Sequence, residues 1–314
     1  MTTRREFLAA AACTAAFAAP IRAFAQRSSP FRVSVITDEI SNDFDHACSV
    51  VANDFGLGWV EIRALWNKNI ADLDAADVGR ARAILGKYNL RVTDIASPLF
   101  KVDFPGAPRS RFSSTQNFAT AGADKQDDVL AACIAVAQEF ETDKIRCFDF
   151  WRLEDPKPYR AAMDEKLRAA VDTARKHAIS LVLENEQDCN TATAQEAART
   201  LTAVPGLFLN WDPANAVWAG EHDAFPAGWD MLPKDRILHC HCKNATVGDA
   251  GKPAWSQVDI GLVDWVAQFR ALKAIGYHNA VSLETHWRGA GTPEASSRIS
   301  FAGMKKALET SGTL

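Results

Sequence analysis

The chain has 314 residues, enough for one large domain or two small ones. Its apolar and charged fractions are ordinary for a globular protein, and a formal net charge of −4 offers no footprint for a polyanion. That balance argues against nucleic acid as a partner.

The first 25 residues read as an address rather than as part of a fold. Arg4 and Arg5 are followed by Phe7, Leu8, an alanine-rich apolar run and Ala23-Phe24-Ala25 before Gln26. A basic segment, an apolar segment and a small-x-small site form a cleavable export signal. The twin arginine resembles a signal that carries folded proteins across the bacterial inner membrane, so the export machinery and a periplasmic location are expected, with cleavage after Ala25.

Beyond residue 25 the chain alternates between short β-branched or apolar runs and longer amphipathic ones. The strand candidates are residues 31–37, 59–63, 90–96, 144–150, 179–185, 207–211, 237–243 and 280–286. Helical spacing marks 43–56, 75–89, 125–140, 159–178, 192–204, 263–276 and 295–310, with a weak segment at 225–232. Eight strand–helix units in about 250 residues match a single-domain (β/α)8 TIM barrel over residues 26–314. A doubly wound open sheet is the alternative, weakened because no GxGxxG follows the first strand. The irregular run 97–124, rich in Ser, Pro and Gly, predicts a functional lid or flap.

The seventh strand reads ILHCHCK. Successive side chains of a strand point to opposite faces, so His239, His241 and Lys243 share one face and Cys240 and Cys242 the other. The cysteines therefore cannot join the histidines at one ion. Six cysteines follow residue 25, and in a domain this large they are expected to be buried free thiols rather than disulfides. Nine tryptophans, several near strand ends, suit flat ligands such as sugar rings, although packing is their default role.

Barrel chemistry sits at the C-terminal strand ends. There the chain offers Glu184 and Glu186 in LENE, Asp212 in NWDPAN, His241 and Lys243 in HCHCK, and Glu284 in LETHW. Carboxylates that converge repel one another unless a cation stands between them. Oxygen ligands with one nitrogen suit Mn2+, Mg2+ or Co2+, with zinc as a further choice.

LENE, NWDPAN, HCHCKN and SLETHW, in this order, resemble the sugar isomerase/epimerase superfamily with the xylose isomerase-like barrel. TDEI at 37–40, VEIR at 60–63 and SPLFK at 97–101 extend the resemblance over nearly the whole chain. It implies a divalent metal, Mn2+ first, on Glu184, Asp212, His241 and Glu284, with Glu186 and His239 left out of the set. His239 is expected to be a buried, hydrogen-bonded core histidine, and Glu61 and Arg63 to pair. The chain departs from epimerases of free ketohexoses at Asn215, where those often carry histidine, and near Thr246 and Val247, where no arginine stands.

The chemistry implied is proton abstraction beside a carbonyl, with Glu184 and Glu284 as the acid/base pair. Lys101, Asn215, Lys243 and His286 are the expected substrate contacts. The substrate is expected to be an unphosphorylated sugar, keto-sugar, inositol derivative or glycoside, since no glycine-rich phosphate cradle follows strands seven and eight. Epimerase, isomerase and lyase outcomes all branch from one enediolate. A metal-dependent endonuclease and a non-catalytic sugar-binding protein are the competing classes, and assembly into a homo-oligomer is left open.

Overall fold

A computed structural model describes residues 29–113, 122–248 and 250–314. Residues 1–28, which include the expected export signal and Cys13, lie outside the described residues, as does part of the 97–124 run. Eight parallel strands carry the fold: β1 Arg32–Val35, β2 Trp59–Ile62, β3 Arg91–Ile95, β4 Lys144–Cys147, β5 Ser180–Glu184, β6 Phe208–Trp211, β7 Ile237–Cys242 and β8 Ala280–Leu283. They are hydrogen-bonded in sequence order from β2 to β8, and β8 pairs with β1. A parallel bridge between Ile36 and Glu61 closes the ring between β1 and β2. The result is the eight-stranded barrel, and each strand is one to three residues shorter than its apolar run.

The helices begin where capping chemistry allows. Asp74 accepts from the backbone of Ala76 and Asp77 and forms a capping box with Asp77 at the head of Ala75–Lys87. Thr193 and Glu196 do the same for Ala194–Ala203. Each satisfies backbone donors that the first helical turn leaves unpaired. The last helix, Pro293–Ser311, starts on a Thr292 cap with Pro293 inside its first turn and ends at Gly312, whose φ of 72° is left-handed.

A short helix after β6, Pro213–Trp218, and a hairpin after β7, Asn244–Val247 with Pro253–Ser256, add to the predicted elements. The described part of the 97–124 run is not a free flap at its start: Leu99, Phe100, Lys101, Val102 and Phe104 are all buried.

Apolar side chains fill the layer between strands and helices, and Cys240 and Cys242 lie in it. All six described cysteines are free and buried, as the alternation of β7 requires for two of them. The inner layer of the barrel is different. Ser34, Thr93, Lys144, Arg146, Asn210, His239, His241 and Ser282 are all buried polar residues of the strands. Buried charge is tolerated only where it is paired or bound to a metal, so the inside of the barrel is where function has to be sought.

Candidate metal centre

β7 and β2 are separated in the sheet by β8 and β1. A contact between their inner side chains must therefore cross the barrel. His241 makes one: its Nε2 lies 3.0 Å from Glu61 Oε1. Its Nδ1 faces the other way, 3.2 Å from Glu184 Oε1, 3.2 Å from Glu284 Oε2 and 3.6 Å from Asp212 Oδ2. One ligand atom from each of Glu184, Asp212, His241 and Glu284 lies within 4.8 Å of the others, and all four residues are buried.

The surroundings hold these groups in place. Arg146 Nη1 donates to Glu184 Oε2 at 3.0 Å, and Asn215 Nδ2 donates to Glu184 Oε1 at 3.0 Å. Glu284 accepts from Arg63 Nη1 at 3.0 Å and from Lys243 Nζ at 2.5 Å. Lys243 Nζ also lies 2.7 Å from Asp212 Oδ2. Asp212 caps the Pro213–Trp218 helix, accepting from the Asn215 backbone at 2.9 Å.

The electrostatics are those of tightly paired buried charges. Burial pushes the His241 pKa down, but Glu61, Glu184 and Glu284 outweigh it and raise the imidazole well above its ordinary value. Burial likewise pushes Glu184 up, but His241 and Arg146 hold it well below the usual carboxylate range. Lys243, His286 and His241 do the same for Glu284 against its own burial.

The donor set of three carboxylates and one imidazole fits a hard to borderline divalent ion. Glu61 strengthens the fit. A carboxylate is an acceptor only, so Nε2 keeps its proton toward Glu61 and Nδ1 is the atom that would bind an ion in place of its own proton.

The remaining sequence candidates fall in two layers. Lys101 and His286 line a cavity of about 170 Å3 at the barrel mouth, together with Arg63, Arg146, Glu186, Glu284 and Trp255. Lys101 Nζ donates to Glu186 Oε2 at 2.9 Å. Asn215 and Lys243 lie deeper, among the carboxylates they bind. His239 is fully buried, with Nδ1 3.1 Å from Asn210 Oδ1.

Glu61 and Arg63 are drawn to different partners rather than to each other. Glu61 goes to His241, while Arg63 binds Asp38 and Glu39 as well as Glu284. The reason is height along the barrel, since Glu61 lies within β2 and Arg63 just past its end. Glu61 points into the barrel beside Ile36, and Arg63, two residues on, reaches the groups after β1 and β8.

Sequence reasoning passed over Arg146, Glu39 and Trp255. Arg146 had a signal, since KIRC puts two cations on one face of a strand whose other face is apolar. Trp255 had none, because the short hairpin strand Pro253–Ser256 that carries it lies outside the apolar runs. The rim also carries backbone strain. Phe100 and Phe150 have φ of 63° and 56° and pack with ring centroids 5.0 Å apart. Bulky residues seldom adopt that conformation, and it sets the backbone next to Lys101 and Trp151.

The sequence pattern of the xylose isomerase-like TIM barrel matches residues 50–307. The chain belongs to this family. No curated protein matches the chain. Among solved structures it is similar to a probable 3-DHS dehydratase of Bacillus anthracis, at 18% identity and a TM-score of 0.64, covering 88% of this chain and 98% of that one. An L-ribulose 3-epimerase is 18% identical with a TM-score of 0.62, over 90% and 96% of the two chains. A xylose isomerase-like barrel of Mycobacterium smegmatis, in complex with magnesium, is 17% identical with a TM-score of 0.61, over 90% and 97%. At these identities the likeness speaks for the fold. Proteins that share this fold are thus named as an epimerase and as a dehydratase, and this chain carries a buried Glu/Asp/His/Glu cluster consistent with a divalent metal.

Proposed function

We propose that the protein is a divalent-metal-dependent sugar isomerase or epimerase that enolises an unphosphorylated sugar or keto-sugar. The observation that carries this reading is the convergence of Glu184, Asp212, His241 and Glu284 from four successive strands to within 4.8 Å. A divalent ion held there, Mn2+ first with Mg2+, Co2+ or Zn2+ as substitutes, would polarise a substrate carbonyl and acidify the neighbouring C–H.

Glu184 and Glu284 are the proton acceptor and donor in this scheme. Arg146 and Asn215 fix the first carboxylate; Arg63 and Lys243 fix the second. Both are kept ionised, so either can accept a proton from carbon. The carboxylate that took the proton returns it to the neighbouring carbon to give an isomer, whereas an epimer needs the other carboxylate to have first taken a proton from solvent and to deliver that one to the opposite face. Lys101 and His286 line the cavity and face the substrate's oxygens.

Four carboxylates, on Glu61, Glu184, Asp212 and Glu284, face the cations of Arg63, Arg146 and Lys243, and Lys101–Glu186 is a balanced pair. The unphosphorylated substrate rests on the lack of a glycine-rich phosphate cradle in the sequence after the seventh and eighth strand runs. The periplasmic location expected from the twin-arginine segment belongs to the same proposal, since an exported enzyme meets few sugar phosphates.

A second reading, a lyase or dehydratase working through the same enediolate, is favoured by the Lys101–Glu186 pair. It lines the same cavity and can protonate a leaving oxygen.

The test uses the chain from Gln26, analysed for metal and incubated in D2O with keto-sugars and keto-glycosides. Deuterium should appear beside the carbonyl, and chelator or Glu184→Gln should reduce its entry by about a hundredfold or more. The product separates epimerase from lyase. Protein that stays metal-free after Mn2+ is supplied and washes in no deuterium overturns the assignment.

A further inference from the structure

Trp255 stands on the hairpin that leaves β7 directly after Lys243, paired with Ala245 across it. The hairpin is firmly tied. Asn244 Nδ2 donates to the carbonyls of Val258 and Val263 at 2.8 and 3.0 Å, and Trp265 Nε1 donates to the Lys243 carbonyl at 2.8 Å. Trp218, the last residue of the helix that Asp212 caps, stacks on the Trp255 indole with centroids 4.1 Å apart and planes 20° apart. His286 meets the same ring edgewise at 5.0 Å and 77°, and Lys243 Nζ lies 5.1 Å from its centroid.

Trp255 stays half-buried and forms part of the cavity wall beside Glu284, His286 and Lys101. A flat indole braced from behind and set beside polar groups suits a ligand with one apolar face and a polar rim. A closed sugar ring is such a ligand, because its C–H bonds gather on a rigid face. An open-chain ketose offers no such face and loses rotor entropy when it binds. The cavity, about 170 Å3, is also well below the roughly 300 Å3 at which drug-sized sites begin. It has room for one sugar unit at the metal centre.

We propose that Trp255 is the stacking platform of the site and selects a ring-closed keto-sugar or keto-glycoside over an open-chain ketose. The inference rests on the enolisation reading above for its substrate class, and on the indole's placement for its selectivity.

The test titrates the Mn2+-loaded chain from Gln26 with methyl α-D-glucopyranoside, which cannot open, and with D-mannitol, an open-chain polyol. Tryptophan fluorescence and calorimetry read the binding. The glycoside should bind about tenfold tighter than mannitol. Trp255→Ala should remove about that factor for the glycoside and leave mannitol unchanged. Trp255→Phe should keep most of it, while Trp255→Leu, which preserves apolar bulk without a flat ring, should not. Metal content should be the same in every variant. Equal binding of the two probes, or a leucine variant as good as phenylalanine, overturns the proposal. The enolisation reading fails separately, through absent metal or absent deuterium exchange, and the fluorescence titration reads stacking in either case.

Discussion

His241 is the residue on which the site turns, and its two ring nitrogens have different tasks. Nδ1 looks at Glu184, Asp212 and Glu284, and Nε2 looks at Glu61 across the barrel. Alternation along β7 placed His241 on the polar face from sequence alone; which carboxylate met which nitrogen depended on strands far away in the chain. Asp94, on β3, shows what the same interior does to a group left alone. It is fully buried, and among the described residues neither of its carboxylate oxygens has a hydrogen-bond partner. Burial, then the charge of Glu61, push its pKa from 3.8 up to about 8. The folded state therefore binds this proton more tightly than the unfolded state. The stability it lends is complete below pH 3.8, drains away as pH rises toward 8 and falls no further above that. In Asp94→Asn the melting temperature should gain on wild type by about 2 °C or more between pH 4 and pH 8. A difference that stays constant over that range would contradict a protonated Asp94.

At the scale of elements, one short helix joins stability to the site. Pro213–Trp218 has six residues, too few for an apolar period to reveal, and NWDPAN reads in sequence as a strand end. Asp212 caps it through Oδ1 while Oδ2 faces Lys243. Asparagine caps a helix about as well as aspartate, whereas alanine costs about 1 kcal/mol. Asp212→Asn should thus keep the thermal stability of the metal-free protein while losing stoichiometric metal, and Asp212→Ala should lose both. Melting curves with chelator, beside elemental analysis, check this; an asparagine variant that retains full metal would remove Asp212 from the ligand set. The hairpin after β7 was hidden for a different reason. Gly248, Gly251 and Pro253 mark a turn, but a turn signal does not say where the tryptophan of the strand that follows comes to rest. The longer helices were legible because period and caps agree, as in Ala75–Lys87 and Ala194–Ala203.

At the scale of the whole molecule, the six cysteines among the described residues are buried free thiols, five of them in the main apolar core and Cys189 in a separate cluster with Phe148 and Trp151. Burial raises the Cys133 thiol to about 12 and pushes the others up as well. An aromatic disulfide reagent should label none of them in the native chain from Gln26 and all six in denaturant without reductant. Fewer than six in denaturant would mean that a disulfide had formed. Sequence by itself determined the order of strand and helix, the barrel class, the two faces of β7 and which polar residues stand at the strand ends, while the choice of four among them came from the family resemblance. The former are local properties: period, capping and alternation are written in neighbouring residues. Tertiary structure alone decided that the seam closes at Ile36 and Glu61, that Arg63 and Arg146 serve Glu284 and Glu184, and that Trp255 walls the mouth against Trp218. Each of these joins residues far apart in the chain. Their meeting is set by barrel closure and register, which no local pattern encodes.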